Sequence, residues 1–276
     1  MKKFILVLVV LVSGNLIAQS AWTQKKGKTY TQLSYSTISD YDRLFGEPDY
    51  NTERKITDNT IQLYGEYGLT DKTTLLLNLP LKLIKTGDQV FNTVPVTTAT
   101  NKTALGNIEI GIKHLLYNKA FTLSGQLSIE ANTGTFDDNS GIRTGYDAWS
   151  FTPTLNAGKS FGKMYAQAFV GGNIRTNDYS SNFKFGAEYG IKFIQRIWVI
   201  GYLDFVSSFN NGDIILPESN LLTGLYVNNQ EYSAYGVKGI VEINENFGAS
   251  AGFGGAFSGN NVARQAAISF GLYHKL

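Results

Sequence analysis

From residue 28 onward the chain alternates. In GNIEIGIKHLL (106–116), Ile108, Ile110 and Ile112 take every second position, with Glu109, Gly111 and Lys113 between them. The stretch 121–132 sets Phe121, Leu123, Leu127, Ile129 and Ala131 against Thr122, Ser124, Gln126, Ser128 and Glu130. At 73–85 Leu75, Leu77, Leu79, Leu81 and Leu83 share one face, opposite Asn78 and Lys82. At 183–194 Phe185, Ala187, Tyr189, Ile191 and Phe193 stand against Lys184, Glu188 and Lys192. The pattern loosens at 197–208, where Trp198, Ile200 and Tyr202 share the face of Asp204. A period of two marks strands with two unlike faces. Read this way, strands fall at 28–38, 60–69, 73–85, 106–117, 121–132, 148–158, 164–175, 183–194, 197–208, 232–243, 247–257 and 262–276. That is about twelve strands of roughly ten residues, the length a tilted strand needs to cross a bilayer.

The connections sort by parity. Short ones fall at 69–72, 118–120, 160–163, 195–196 and 244–246. The others include long loops at 40–55, 86–103, 133–147 and 210–229, with shorter ones at 176–181 and 258–261. Short turns at one end and long loops at the other are the pattern of an outer-membrane barrel, and an even strand count puts both termini at the short-turn, periplasmic end. The expected fold is therefore all-β, a transmembrane antiparallel barrel of about twelve strands. A closed sheet in lipid pairs every backbone group and leaves no edge in hydrocarbon. The apolar faces point outward. Glu66, Glu109, Glu130, Glu188, Asp204 and Glu242 then point inward with Lys82, Lys113, Arg175, Lys184, Lys192 and Lys238. Aromatic residues near strand ends (Tyr67, Tyr117, Phe121, Trp149, Phe161, Tyr165 and Phe247) fit interfacial girdles.

Composition sharpens this. The 276 residues include no cysteine, which removes disulfides, thiolate metal sites and cysteine nucleophiles. A net charge of +2 gives no reason to expect nucleic acid as a partner. The slightly negative mean hydropathy excludes a bundle of transmembrane helices. The first residues differ: Lys2 and Lys3 precede nine apolar residues (4–12), and small Ala18 follows. This reads as a signal peptide, residues 1–18, cleaved after Ala18 and too short for an anchor. Residues 19–276 are then one barrel domain, exported to the outer membrane of a Gram-negative cell. The final ISFGLYHKL (268–276) resembles the C-terminal signal of such barrels, with Leu276 in place of the usual aromatic. Outer-membrane lipid and the barrel-assembly machinery are the expected partners, the latter through this last strand.

Two segments, LYGEYGLTDKTTLLLNLPL (63–81) and ALGNIEIGIKHLL (104–116), resemble in this order the outer-membrane barrel transporters named for the meta-pathway of phenol degradation. Asn107 stands where that family's pattern has aspartate. The resemblance implies a barrel passing small compounds, hydrophobic or aromatic ones among them, with no catalytic residues.

The six inward acids and six bases fit either a polar pore of weak charge selectivity or a salt-bridge network that closes the lumen. Two further classes of function stand beside a small-solute channel. One is a closed barrel binding at the surface through its long loops, 40–55 and 210–229. The other is an outer-membrane lipid hydrolase. The only histidines, His114 and His274, fall on outward faces and carry no serine-hydrolase motif, so no catalytic residue is assigned. FDDNSG (136–141) lacks EF-hand spacing and reads as a solvated loop. GFGG (252–255) has no following helix to make a dinucleotide site, and its glycines suit wall curvature. No metal or cofactor is expected. IILP and LLTGLYV within 210–229 are apolar for a loop, which suits a lumen plug, a ligand dock or a lipid contact.

Overall fold

The computed structural model describes residues 20–91 and 94–276, with backbone alone for 89–91 and 94–96; the expected signal peptide and its cleavage site lie outside them. Twelve long strands form the wall. They are β1 (Thr29–Phe45), β2 (Tyr50–Thr70), β3 (Thr73–Thr86), β4 (Ile108–Asn118), β5 (Thr122–Ala131) and β6 (Ser150–Phe161). The second half is β7 (Met164–Arg175), β8 (Asn182–Ile194), β9 (Ile197–Ser208), β10 (Glu231–Glu242), β11 (Phe247–Asn260) and β12 (Ala267–Lys275). Each pairs antiparallel with its neighbours in sequence. β1 also pairs β12, from Tyr30↔Lys275 to Ile38↔Ala267, so the sheet closes on itself.

The alternation becomes two faces of this wall. Ile110 and Ile112 point away from the barrel, as do Leu77, Leu127, Leu203 and Leu272, and all are exposed. Their intervening neighbours Glu66, Thr74, Lys113, Gln126 and Tyr202 are buried. An apolar surface running round the whole wall far exceeds what a water-soluble monomer exposes, and it suits hydrocarbon. Tyr67, Tyr117, Phe121, Trp149, Phe161 and Phe247 also point outward. Tyr165 does not. Its parity along β7 is that of Gln167 and Phe169, so it faces the lumen, where its hydroxyl donates to Glu188.

The two ends differ. Both termini of the barrel meet at the short-turn end, where Thr29 and Leu276 exchange backbone hydrogen bonds of 3.2 and 3.0 Å. At the other end the structure corrects the expected loops. The stretch 40–55 is mostly strand: β1 and β2 overshoot the wall and leave only 46–49 as a turn. The reason is that buried apolar positions continue there, Tyr41, Leu44 and Ile56 lying beneath the loops that cover the mouth, while register shifts between Ile38 and Arg43 break the simple alternation. The stretch 86–103 contains a small hairpin (Gln89–Phe91 with Val94–Thr97), then Thr100–Leu105, which pairs with β3 above β4. This strand and β4 are separated at Gly106 and Asn107, opposite Pro80, whose missing N–H cannot continue the ladder. The last strand starts at Ala267 and not at 262; Val262–Ala263 pairs with the tip of β1 instead.

Apolar loop residues fold over the mouth. Ile142 of the short strand Ile142–Arg143 and Leu225 pack with Tyr41, Leu44, Ile56 and Ile84. Leu216 and Val227 pack with Ala148 and Tyr179. The helix α1 (Glu218–Leu221) carries buried Asn220, whose amide donates to the Leu225 carbonyl at 2.9 Å and whose oxygen accepts from Arg143 Nε at 3.1 Å. Gly224, at φ +67°, takes the left-handed conformation and lies against Leu44, where a side chain would collide. The 210–229 loop is thus a cap on the barrel, with Ile215 left almost fully exposed above it.

Candidate functional site in the barrel lumen

Three similar groups recur around the short-turn half of the lumen, each an aromatic donor and a lysine on one glutamate. On β2 and β4, Glu66 accepts from the Tyr64 hydroxyl at 2.7 Å and from Lys113 Nζ at 3.1 Å. On β7, β8 and β10, Glu188 accepts from the Tyr165 hydroxyl, with Lys238 Nζ 3.6 Å away. On β8, β9 and β10, Glu242 accepts from Trp198 Nε1 at 2.9 Å and from Lys192 Nζ at 2.6 Å. The i, i+2 spacing of Tyr64 and Glu66 puts both on one face of the strand; the other two groups are assembled across strands. Glu66 and Glu188 are thereby neutralised where an unpaired carboxylate would be costly, whereas the Glu242–Lys192 pair is partly exposed.

Higher in the lumen, Lys82 pairs with Asp58 at 2.7 Å and lies 5.5 Å from the centre of the Tyr226 ring in the cap. Burial pushes the Tyr226 phenol up to about 12, against the opposing pull of Lys82. The remaining expected residues form a belt without ion pairs. Glu109 stands directly opposite Glu130 in the β4–β5 register. Glu130 accepts from the Asn107 amide at 2.9 Å. The Arg175 guanidinium lies 3.7 Å over the Tyr146 ring, and Asp204 accepts from the Tyr232 hydroxyl at 2.9 Å. Among the described residues, neither Arg175 nor Lys184 has a carboxylate within 4.0 Å. Five polar atoms on this belt have no protein partner: Ser150 Oγ, Asn173 Oδ1, Asn182 Oδ1, Arg175 Nε and Asp204 Oδ1. The five atoms are buried, so water that satisfies them is water enclosed within the lumen.

All twelve expected lumen residues thus lie on the inner face. Seven of them sit in the four ionic groups, the seventh, Lys82, through a partner, Asp58, that the alternation did not single out. Asp58 lay between the expected loop 40–55 and the expected strand from 60. The aromatic members Tyr64, Tyr165 and Trp198 were also missed, since period two treats an inward aromatic as an exception. Neither histidine enters the lumen: His114 is exposed with its Nδ1 2.9 Å from Thr73 Oγ1, and His274 stacks on Phe247 at 4.3 Å.

Between the lower groups lies a cavity of about 380 Å³. One wall is Trp22, Tyr165 and Trp198; the other is Tyr30, Tyr64 and Tyr273. Tyr165 and Trp198 centre 5.6 Å apart, and Tyr30 stacks on Tyr273 at 5.6 Å. Tyr273 has room because Gly248 beneath it carries no side chain. Among the described residues no group of three or more metal-binding side chains occurs.

The sequence matches no family model and no curated relative. Solved structures do resemble it. An outer membrane channel from Pseudomonas putida F1 superposes with a TM-score of 0.68 over 96% of this chain and 100% of its own, at 12% identity. The NanC porin gives 0.53 over 90% of this chain and 100% of its own, at 5% identity. The translocator domain of the autotransporter NalP from Neisseria meningitidis gives 0.53 over 91% and 88%, at 10% identity. At such identities the likeness is one of fold. The fold is that of an outer-membrane β-barrel. More narrowly, it is a closed antiparallel barrel of twelve strands, porin-like in its wall.

Proposed function

We propose that this barrel is an outer-membrane channel for the passive passage of small solutes. The observation that carries the reading is the lumen belt of Glu109, Glu130, Arg175, Lys184 and Asp204. It holds fixed charges of both signs, two glutamates facing each other and an arginine and a lysine with no carboxylate in reach among the described residues, which favours a hydrated lumen of weak charge selectivity over a closed ionic core. The aromatic cavity below it supports the finer reading suggested by the meta-pathway resemblance, in which hydrophobic or aromatic compounds are among the solutes. Its 380 Å³ exceeds the roughly 150 Å³ that holds benzene in an engineered cavity. In this reading the signal peptide delivers the chain to the outer membrane, lipid surrounds the apolar wall, and the assembly machinery takes up β12.

The cap favours a second reading, a closed barrel that binds through its surface. Buried clusters and the Asn220 hydrogen bonds tie the 210–229 loop across the mouth. Planar-bilayer recording separates the two. A channel gives discrete current steps that grow when 210–229 is shortened. No current above leak in either form overturns the channel reading. Liposome swelling with aromatic acids against sugars of similar size then tests the solute class.

A further inference from the structure

The residues ahead of β1 turn back into the barrel at the short-turn mouth. Ala21 is fully buried there, and its N–H donates to Gln167 Oε1 on β7 at 3.3 Å. The Trp22 carbonyl accepts from Lys113 Nζ on β4 at 3.2 Å, and its indole meets Tyr165 edge-on at 5.8 Å. The Gln24 N–H donates to Thr74 Oγ1 on β3 at 2.8 Å, and its side-chain amide to Glu66 on β2 at 2.6 Å. These partners stand on separate sides of the barrel, so the segment crosses the lumen.

Two wall glycines receive it. A side chain on Gly158 of β6 would come within 2.9 Å of the Ala21 methyl and 3.0 Å of the Trp22 ring. A side chain on Gly68 of β2 would overlap the Lys25 carbonyl. Neither glycine has a positive φ, so backbone conformation does not require them. What requires them is the segment that lies on them. The polar partners are prepared as well: Lys113, Thr74 and Glu66 are all buried, and each would lose a hydrogen bond if the segment left.

We propose that the short-turn mouth is a peptide-binding site, that its resident ligand is the chain's own segment 20–26, and that release of this segment opens the lumen. The site is a notched socket for a small residue followed by tryptophan and, two positions on, glutamine. The opening role rests on the channel reading; the site itself does not.

The chain has no native cysteine, so an introduced pair is unique. Ala21→Cys with Gly158→Cys places the two β-carbons close enough to bridge after a small adjustment. In planar bilayers the oxidised pair is expected to lose most of the current and to recover it on reduction. Gly68→Leu, which evicts the segment, is expected to raise open probability several-fold. A barrel lacking 20–26 keeps all twelve strands, and a heat-dependent gel shift checks its fold. A labelled peptide of residues 20–26 is expected to bind this barrel, read by fluorescence anisotropy, and to lose at least tenfold in affinity when it carries Trp22→Ala. Equal currents in the oxidised and reduced pair overturn the gate alone. Absence of peptide binding overturns the site. Silence of every variant, with peptide binding intact, removes the channel reading and the gate but leaves the site.

Discussion

The Glu66–Lys113 pair offers the most direct measurement of what holds the lumen together. Lys113 is fully buried and Glu66 nearly so, 3.1 Å apart. Glu66 has three donors, from Tyr64, Gln24 and Lys113, whereas Lys113 has two acceptors, Glu66 and the Trp22 carbonyl. Replacing one member leaves the other charged and dry, which costs about 3–5 kcal/mol. Lys113→Met is expected near the lower end of that range, because two neutral donors still hold the carboxylate. Glu66→Leu is expected near the upper end, because it strands an ammonium and two further donors. The double variant removes both charges, and replacing a buried pair by apolar residues is often close to neutral. The coupling between the two sites should therefore exceed about 2 kcal/mol, well beyond the few tenths seen for independent positions. The assay is reversible urea unfolding of the barrel in lipid vesicles, followed by tryptophan fluorescence and the gel shift. Additive single effects, or single losses below about 1 kcal/mol, would refute the argument; they would mean that the pair sits in water.

Two other outcomes test other links. Ile112 points outward near the middle of β4, so Ile112→Arg should cost about 2–4 kcal/mol in vesicles if that face meets the bilayer core. In a water-facing wall the same change would be neutral. The Tyr226 phenol titrates near 12, above the ordinary value of about 10. A group with a raised folded pKa stabilises below its unfolded value and loses that contribution as pH rises. The cap should therefore loosen between pH 10 and 12, seen as protease cleavage within 210–229. Tyr226→Phe should reduce the pH dependence of that cleavage, with buried Tyr41, which donates to the Thr223 carbonyl, supplying part of the remainder, and an unchanged profile in the variant would count against it.

Much of the wall was legible because it depends on one local rule. In β4, β5 and β8 a water face and a lipid face leave the period-two pattern clear, β3 departs from it only where Leu76 and Ile84 turn inward, and the strand limits follow within a few residues. The cap was half legible. IILP and LLTGLYV were conspicuous as apolar residues in a loop, but period two says nothing of which surface they cover. The β1–β2 overshoot was hidden for the opposite reason. Its outward positions no longer meet lipid, so Asp40, Asp42 and Glu53 take places that leucine holds lower down, and the segment reads as loop. The segment 20–26 was invisible. It has no period, and its partners lie 42 to 146 residues away in sequence.

The seam between β1 and β12 joins residues that are among the first and last of the barrel, with Tyr30 opposite Lys275. Until the last nine residues are in hand, β1 has only one neighbour, and a free edge lies in contact with fat. Such a wall has no stable half-built state to rest in. Pairing across so long a stretch of chain carries the largest loop-closure cost in the wall, so the seam is expected among the last contacts to form.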